Sequence, residues 1–368
     1  MFMNFWYPAE ESTNVGNAPL KVQMLSLEFV LWRDDAGQVH CISNTCTHRG
    51  GSLGNGKLVD NCVQCPYHGW LFNGDGDCER IPSLGPLNKV PERSRIDAYP
   101  VEERYGLVFV FLGDLPETER PTILTINEYG KEGWRTLTMR YRWKANYVRL
   151  VENQSDPSHV EYVHSGFGFA GKDTQYRVPK FNIEASEWGA GAMTQFYSPE
   201  LPDQDMKDMQ SEGHMDAGSG FHAISSTWTR INFNASDSMN LYLYACPRSE
   251  LDLEIFLFCQ RNCRLDEQYD KNFLERMGLA LEEDRVVIEK LVPAIPSKAA
   301  VGEFIVPADD ILMTYRQRLT EWQANGWRID LEEMARNENR VAYAIPSPAR
   351  RENPQDWAVT PVPVVVGE

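Results

Sequence analysis

Cys46-Thr47-His48-Arg49-Gly50-Gly51 and Cys65-Pro66-Tyr67-His68-Gly69-Trp70 decide how the rest of the chain is read. Each half carries one thiol and one imidazole, as C-x-H and then C-x-x-H, with sixteen residues between His48 and Cys65. A [2Fe–2S] cluster with thiolates on one iron and imidazoles on the other needs this donor set. Replacing two thiolates by neutral imidazoles reduces the negative charge and raises the reduction potential, to roughly −150 to +300 mV. Glycines beside each pair let backbone amides approach the cluster sulfides. The competing reading is a Cys2His2 zinc site, but structural zinc sites usually pair C-x2–4-C with H-x3–5-H.

The 368 residues leave room for two domains and an ample core. With 36 Lys+Arg against 53 Asp+Glu the net charge is −17, which argues against a nucleic-acid partner. Eight cysteines are too sparse for a disulfide scaffold in a chain this long. Beyond Cys46 and Cys65, the other six (Cys41, Cys62, Cys78, Cys246, Cys259 and Cys263) read as buried or reduced thiols. The opening Met1-Phe2-Met3-Asn4-Phe5-Trp6-Tyr7-Pro8 lacks a basic, then apolar, secretory pattern. No stretch approaches the ~18 apolar residues of a membrane span, so the expectation is a soluble, cytoplasmic protein.

Residues 20–115 are written mostly in strands. Val22 to Trp32 is β-branched and apolar, and Val39-His40-Cys41-Ile42 follows a turn at Asp34-Asp35-Ala36-Gly37. Lys57 to Gln64 leads into the second ligand loop, Asn73-Gly74-Asp75-Gly76-Asp77 is a hairpin turn, and Tyr105 to Leu112 closes the unit. The expectation is a small all-β domain over 1–115 with the cluster at two loop tips, then a second domain over 116–368. There, Trp134–Asn146, Phe181–Tyr197, Ala223–Cys246 and Leu253–Phe258 carry strands. Pro199–Gly220 reads as a solvated loop, with a substrate lid as the alternative, and the Pro-rich tail from Ala344 as an extended wrap or a frayed end.

A second constellation lies in Asn153-Gln154-Ser155-Asp156-Pro157-Ser158-His159 through His164. On an unbroken helix His159 and His164 stand about 140° apart, so they meet at one ion only if the helix ends or distorts between them. Asp156, followed by Pro157, is a helix N-cap candidate. Residues 266–291 read as one amphipathic helix with Phe273, Met277, Ala280, Leu281, Val287, Ile288 and Leu291 as its stripe. Asp284 falls mid-stripe, about 20° from Phe273, with Glu283 on the flank. A carboxylate on a buried face needs a partner or a metal.

These motifs together resemble the Rieske non-haem iron oxygenases, in the C-x-H-R-G … C-P-Y-H-G-W form, with Asp156, His159 and His164 matching D-x-x-H-x4-H. The resemblance runs from Trp6-Tyr7-Pro8 to the helix through Tyr315 and Leu319. The length favours short, α-only members such as vanillate and toluenesulfonate monooxygenases, dicamba demethylase, and saxitoxin-pathway and carbazole oxygenases. It implies an α+β fold: an N-terminal all-β Rieske domain, then a helix-grip-like catalytic domain of antiparallel sheet and helices. It also implies a [2Fe–2S] cluster on Cys46, His48, Cys65 and His68. Mononuclear Fe(II) would sit on His159, His164 and Asp284, with O2 as co-substrate. Asp156 would bridge His159 to His68 of the next chain in a head-to-tail homotrimer.

The implied function is the terminal oxygenase of a multicomponent system, fed by a reductase and in some cases a ferredoxin. It would hydroxylate or oxidatively demethylate a small aromatic or cyclic substrate, with cis-dihydroxylation as the alternative. Two rivals remain: a Rieske electron carrier, which needs only about the first 115 residues, and a zinc-stabilised binding protein. Asn153, Phe169, Phe221 and Trp228 are candidate pocket residues. Arg80, Lys89, Arg93 and Arg95 form a candidate basic patch for an acidic electron donor.

Overall fold

Two-residue turns in left-handed backbone build the N-terminal part of the computed structural model, which describes residues 1–167, 169, 171, 176–178, 182–197, 214–297 and 302–365. In chain order the first strands are β1 (Phe5–Glu11), β2 (Leu20–Met24), β3 (Leu27–Arg33), β4 (Val39–Ser43), β5 (Lys57–Val59), β6 (Cys62–Gln64), β7 (Leu71–Phe72), β8 (Cys78–Arg80), β9 (Val101–Arg104) and β10 (Leu107–Leu112). Leu25 and Ser26, at φ 52° and 65°, split the stretch read as a single run into β2 and β3; Asp60 and Asn61, at 52° and 62°, do the same between β5 and β6. Leu-Ser lacks the Asn-Gly signature that such a turn usually carries.

Three antiparallel sheets result, ordered β1-β10-β9, β2-β3-β4 and β5-β6-β7-β8. The last two meet around Val30, Trp32, Ile42, Leu53, Val63 and Phe72, a buried cluster that also takes in Cys46 and Cys65. Each fully buried aliphatic or Phe side chain contributes about 1.5–3 kcal/mol. The ligand loops therefore stand on a rigid base.

The chain divides into two units, Met1–Thr122 with Trp322–Glu368, and Ile123–Glu321. The C-terminal segment, which the sequence reading put in the second domain, thus belongs to the N-terminal unit. A buried ion pair explains this. Arg350 Nε and Nη2 donate to the Asp97 carboxylate at 2.9 and 2.5 Å, and Ser347 adds its amide and hydroxyl. Trp357 lies under the guanidinium groups of both Arg95 and Arg350, 4.3 Å from each. The tail from Ala344 is neither simply extended nor frayed, since it includes the helix Pro348–Glu352.

In the second unit, β11 (Arg135–Trp143), β12 (Glu184–Ala185), β13 (Gly189–Tyr197), β14 (His214–His222), β15 (Ser226–Asn232), β16 (Ser238–Ser249) and β17 (Asp252–Arg261) form one antiparallel sheet. Its order is β11-β17-β16-β15-β14-β13-β12. β14 overturns the loop reading for residues 214–220; residues 199–213 of that candidate lid lie outside the described residues. Gly218, Ser219 and Gly220 have little β-propensity, which is why the strand was missed.

Among the described helices, those that position the site are α1 (Tyr147–Ser155), α2 (Val160–Val163), α3 (Asp270–Ile288) and α4 (Asp310–Ala324). α1 packs on β14, β15 and β16, and α3 packs on α1 and β11. Asn146 caps α1 by accepting from the Val148 amide at 3.0 Å. Buried Glu152 fixes the helix from the middle, accepting from Arg316 Nε at 2.6 Å and Arg149 Nη1 at 3.2 Å. On α3, Met277, Leu281, Asp284 and Ile288 are buried. Val287 and Leu291 are exposed, against their place in the expected stripe.

Candidate metal centres

Both cysteine loops have the same backbone. The Cys46 amide donates to Gly51 O at 2.9 Å, and the Cys65 amide to Trp70 O at 2.8 Å. Gly50 and Gly69 donate back to the Cys46 and Cys65 carbonyls at 2.9 and 3.0 Å, with φ of 69° and 74°. Left-handed backbone at the fourth residue after each cysteine accounts for both glycines. Gly51 is tighter still, since a Cβ there would come within 3.0 Å of Cys65 Sγ.

Both thiols are buried, at 2% exposure, while His48 and His68 face outward with ring centroids 4.4 Å apart. Trp70 stacks on His48 at 4.7 Å and 6°. Burial, with the Cys65 thiol alongside, pushes the Cys46 thiol up to about 12. Two buried thiols and two adjacent imidazoles, one of each from either loop, suit a group that takes thiolates on one metal ion and neutral nitrogens on the other. The residues fit a [2Fe–2S] cluster.

The second centre depends on a helix break. α1 ends at Ser155, and Asp156 Oδ1 accepts from the Ser158 amide at 2.7 Å and also from the Ser158 hydroxyl. This is an Asx turn, so Asp156 does not cap α2, contrary to one sequence expectation. The turn aims the Asp156 carbonyl at His159, whose Nδ1–H donates to it at 2.6 Å. His164 follows α2 at φ −94°, ψ 64°, outside helical geometry. The two Nε2 atoms therefore meet, 3.2 Å apart.

Asp284 Oδ1 lies 3.5 Å from His159 Nε2 and 3.6 Å from His164 Nε2. A point equidistant from these three atoms lies about 2.0 Å from each, close to the roughly 2.0–2.2 Å of a first-row metal bond. Two imidazoles and one carboxylate on a single face suit ferrous iron with open positions. Both outer nitrogens are anchored, since His164 Nδ1–H donates to Glu283 Oε2 at 3.3 Å. Such contacts fix the tautomer and aim Nε2 at the metal. Asn153 and Gln154 donate to Asp284 Oδ1 and Oδ2 at 3.1 and 3.0 Å. Burial would raise the Asp284 pKa, but His159, His164 and Asn153 hold it below the ordinary carboxylate value.

A cavity of about 180 Å3 opens on this triad. Phe167, Phe169, Leu257, Met277 and Leu281 are among its walls, with Ser219 and Thr229 on the sheet. Of the four pocket candidates, only Phe169 lines it. Phe221 packs instead on Tyr315, with ring centroids 4.9 Å apart. Trp228 sits between Thr227 and cavity-lining Thr229, so strand alternation turns it to the other face, where Arg230 stacks on it at 5.2 Å. Asn153 acts through Asp284. The basic patch is also thinner than expected, because Arg95 is engaged by Trp357.

Residues 5–91 match the Rieske [2Fe-2S] domain, and residues 143–325 the vanillate O-demethylase oxygenase C-terminal domain. The chain belongs to the Rieske oxygenases. It is 30% identical over 192 residues to the chloroplastic protein TIC 55 of Arabidopsis thaliana, covering 50% of this chain and 36% of that protein. The chain therefore spans only about a third of that relative's length. It is 26% identical to the methylxanthine N1-demethylase NdmA of Pseudomonas putida, over 86% of this chain and 88% of that one. The structure of NdmA with caffeine superposes with a TM-score of 0.73, at 24% identity, covering 88% and 91% of the two chains. That of dicamba monooxygenase bound to dicamba gives 0.71, at 21% identity, covering 87% and 96%.

Sequence reasoning about this Rieske oxygenase missed the supporting groups. Gln154 is the neighbour of a named candidate, and only the fold reveals that both amides reach Asp284. Glu283 was placed on the helix flank, where its role depends on the return of His164. Neither contact has a local sequence signature.

Proposed function

We propose that this chain is the terminal oxygenase of a multicomponent system that hydroxylates or oxidatively demethylates a small cyclic substrate. The single observation that carries the reading is the meeting of His159, His164 and Asp284 on the wall of an apolar cavity, in a chain that also carries a Rieske domain. A stand-alone electron carrier has no need of that second centre. The balanced reaction is R–H + O2 + 2 e− + 2 H+ → R–OH + H2O. For a methyl ether, the hydroxylated methyl leaves as formaldehyde.

When bound, the cluster supplies electrons singly and the ferrous ion a site for O2 reduction. Cys46, His48, Cys65 and His68 would hold the first, and His159, His164 and Asp284 the second. Asp156 and Glu283 fix the imidazole tautomers through its carbonyl and its carboxylate. The apolar walls exclude water from the substrate. Electrons come from a separate reductase, directly or through a ferredoxin.

The assembly in this reading is a head-to-tail homotrimer in which Asp156 links His159 to His68 of the next chain. Support comes from the Asp156 carboxylate, whose Oδ2 accepts no hydrogen bond among the described residues and lies 3.9 Å from His159 Nδ1. An exposed apolar run at Val286, Val287, Leu291 and Val292 would serve a subunit contact. No helix among the described residues is long and apolar enough to cross a membrane.

Asp284→Ala tests the reading. The visible and EPR spectra of the cluster should persist, while mononuclear iron and substrate-dependent O2 uptake are lost. A variant with full iron content and near-normal turnover would show that the carboxylate lies elsewhere.

A further inference from the structure

The cavity has two unlike sides. Helices α1 to α3 bring the metal-binding groups to one side, and the sheet supplies the other. On the sheet, Ala192, Ser219, Thr229 and Leu241 form one cross-strand row, and Thr194, Ala217, Ile231 and Met239 the next. All eight line the cavity. Most are apolar, so the three hydroxyls of Thr194, Ser219 and Thr229 stand out. Ser219 and Thr229 are direct antiparallel partners, which places their Cβ atoms about 4.5–5.5 Å apart. None of these hydroxyls has a hydrogen-bond partner among the described residues. All three residues are half-buried, so water reaches these hydroxyls, and a ligand that displaces that water has to replace its hydrogen bonds.

The charges narrow that ligand further. The ionisable groups among the described lining residues are Asp156, His159, His164 and Asp284, with no lysine or arginine. A carboxylate or sulfonate entering here would meet two carboxylates and, among the described residues, no fixed cation beyond a bound metal. Transfer of an unpaired anion into an apolar site is strongly unfavourable. Size sets the last limit. An apolar cavity of about 150 Å3 takes benzene. One of about 180 Å3 suits a single ring with one or two small substituents better than a fused polycyclic system.

We propose that the substrate is an uncharged, single-ring molecule whose polar substituent is held by Ser219 and Thr229, with the carbon to be oxidised at the opposite end, toward the His159–His164–Asp284 side. This rests on the oxygenase reading for its chemistry, but its binding claim stands apart from turnover.

The test is therefore a binding measurement on the anaerobic holoenzyme by calorimetry. The probes are 4-methoxyphenol, 4-methoxytoluene, 4-methoxybenzoate and 6-methoxy-2-naphthol. 4-Methoxyphenol should bind at least tenfold more tightly than the benzoate and the naphthol. Ser219→Ala combined with Thr229→Val should weaken 4-methoxyphenol at least fivefold and change 4-methoxytoluene less than twofold. Equal or tighter binding of the benzoate or the naphthol would overturn the proposal, as would equal losses for both neutral ligands in the double variant. Absence of saturable binding for all four would overturn it too. O2 uptake is scored separately: the expected binding order without any turnover would sink the oxygenase reading and leave the cavity chemistry standing.

Discussion

Glu283→Gln is the substitution that best separates a designed metal centre from three side chains that happen to meet. Glu283 uses both oxygens: Oε2 accepts from His164 Nδ1 at 3.3 Å, while Oε1 accepts from the Ser165 hydroxyl at 2.7 Å and the Gly166 amide at 3.2 Å. All three partners are donors, and a glutamine has only one acceptor oxygen. If that oxygen serves His164, the new amide N–H2 faces the Gly166 N–H. If it serves Gly166, the N–H2 confronts His164 Nδ1 and favours the tautomer protonated at Nε2, which cannot ligate. Losing a contact of this kind typically costs 10–100-fold in metal affinity, or about 1.4–2.7 kcal/mol. The carboxylate is 15% exposed, so solvent screens the loss only in part. The assay is anaerobic competition for Fe(II) against a coloured ferrous chelator, with cluster absorbance as the internal control. A dissociation constant within twofold of the parent protein would refute the argument.

Cys46→Ser or Cys65→Ser should abolish the visible cluster spectrum, because one iron loses a thiolate; a normal Rieske spectrum in either variant would reject the ligand assignment. Asp156→Asn should retain both metals and the oligomer but slow cluster re-oxidation, with substrate and O2 present, by orders of magnitude. Near-parental single-turnover rates would confine Asp156 to its turn. Arg350→Met should leave Asp97 as an unpaired buried charge and destabilise the N-terminal unit by about 3–5 kcal/mol; a denaturant midpoint close to that of the parent protein would show the pair to be dispensable.

The cluster loops were legible because their signal is local. Ligand spacing, and a glycine where the backbone must turn left-handed, both lie within a few consecutive residues. Asp284 was legible for a different reason: helix phase projects a lone carboxylate onto an apolar stripe. The rest depended on register between distant strands. Nothing near Trp228 says which face it takes, because Ala223–Cys246 was read as carrying strands with no boundary drawn between them. The turn at Phe233–Asp237 divides it and fixes the alternation. The tail went to the wrong neighbour in the sequence reading because Asp97 and Arg350 are 253 residues apart, and an ion pair leaves no pattern in either segment.

The stretch from Asn153 to His164 does several tasks at once, and the helix break is what allows it. Were α1 continuous through His164, the two imidazoles would diverge by about 140° and no metal face could form. The chain avoids this by stopping α2 at Val163, with His164 at φ −94°, ψ 64°, while α1 ends at Ser155 and an Asx turn takes the next three residues. The last turn of α1 then points two amides at Asp284, and the turn's own carbonyl fixes the His159 tautomer. Orientation of the carboxylate and of one imidazole therefore depends on where α1 stops. That end point is held from behind by Glu152 through buried Arg316, side chains that touch neither the cavity nor the triad. Breaking this pair is expected to disturb metal binding without removing any ligand, because the amides that steer Asp284 follow Glu152 directly in the chain.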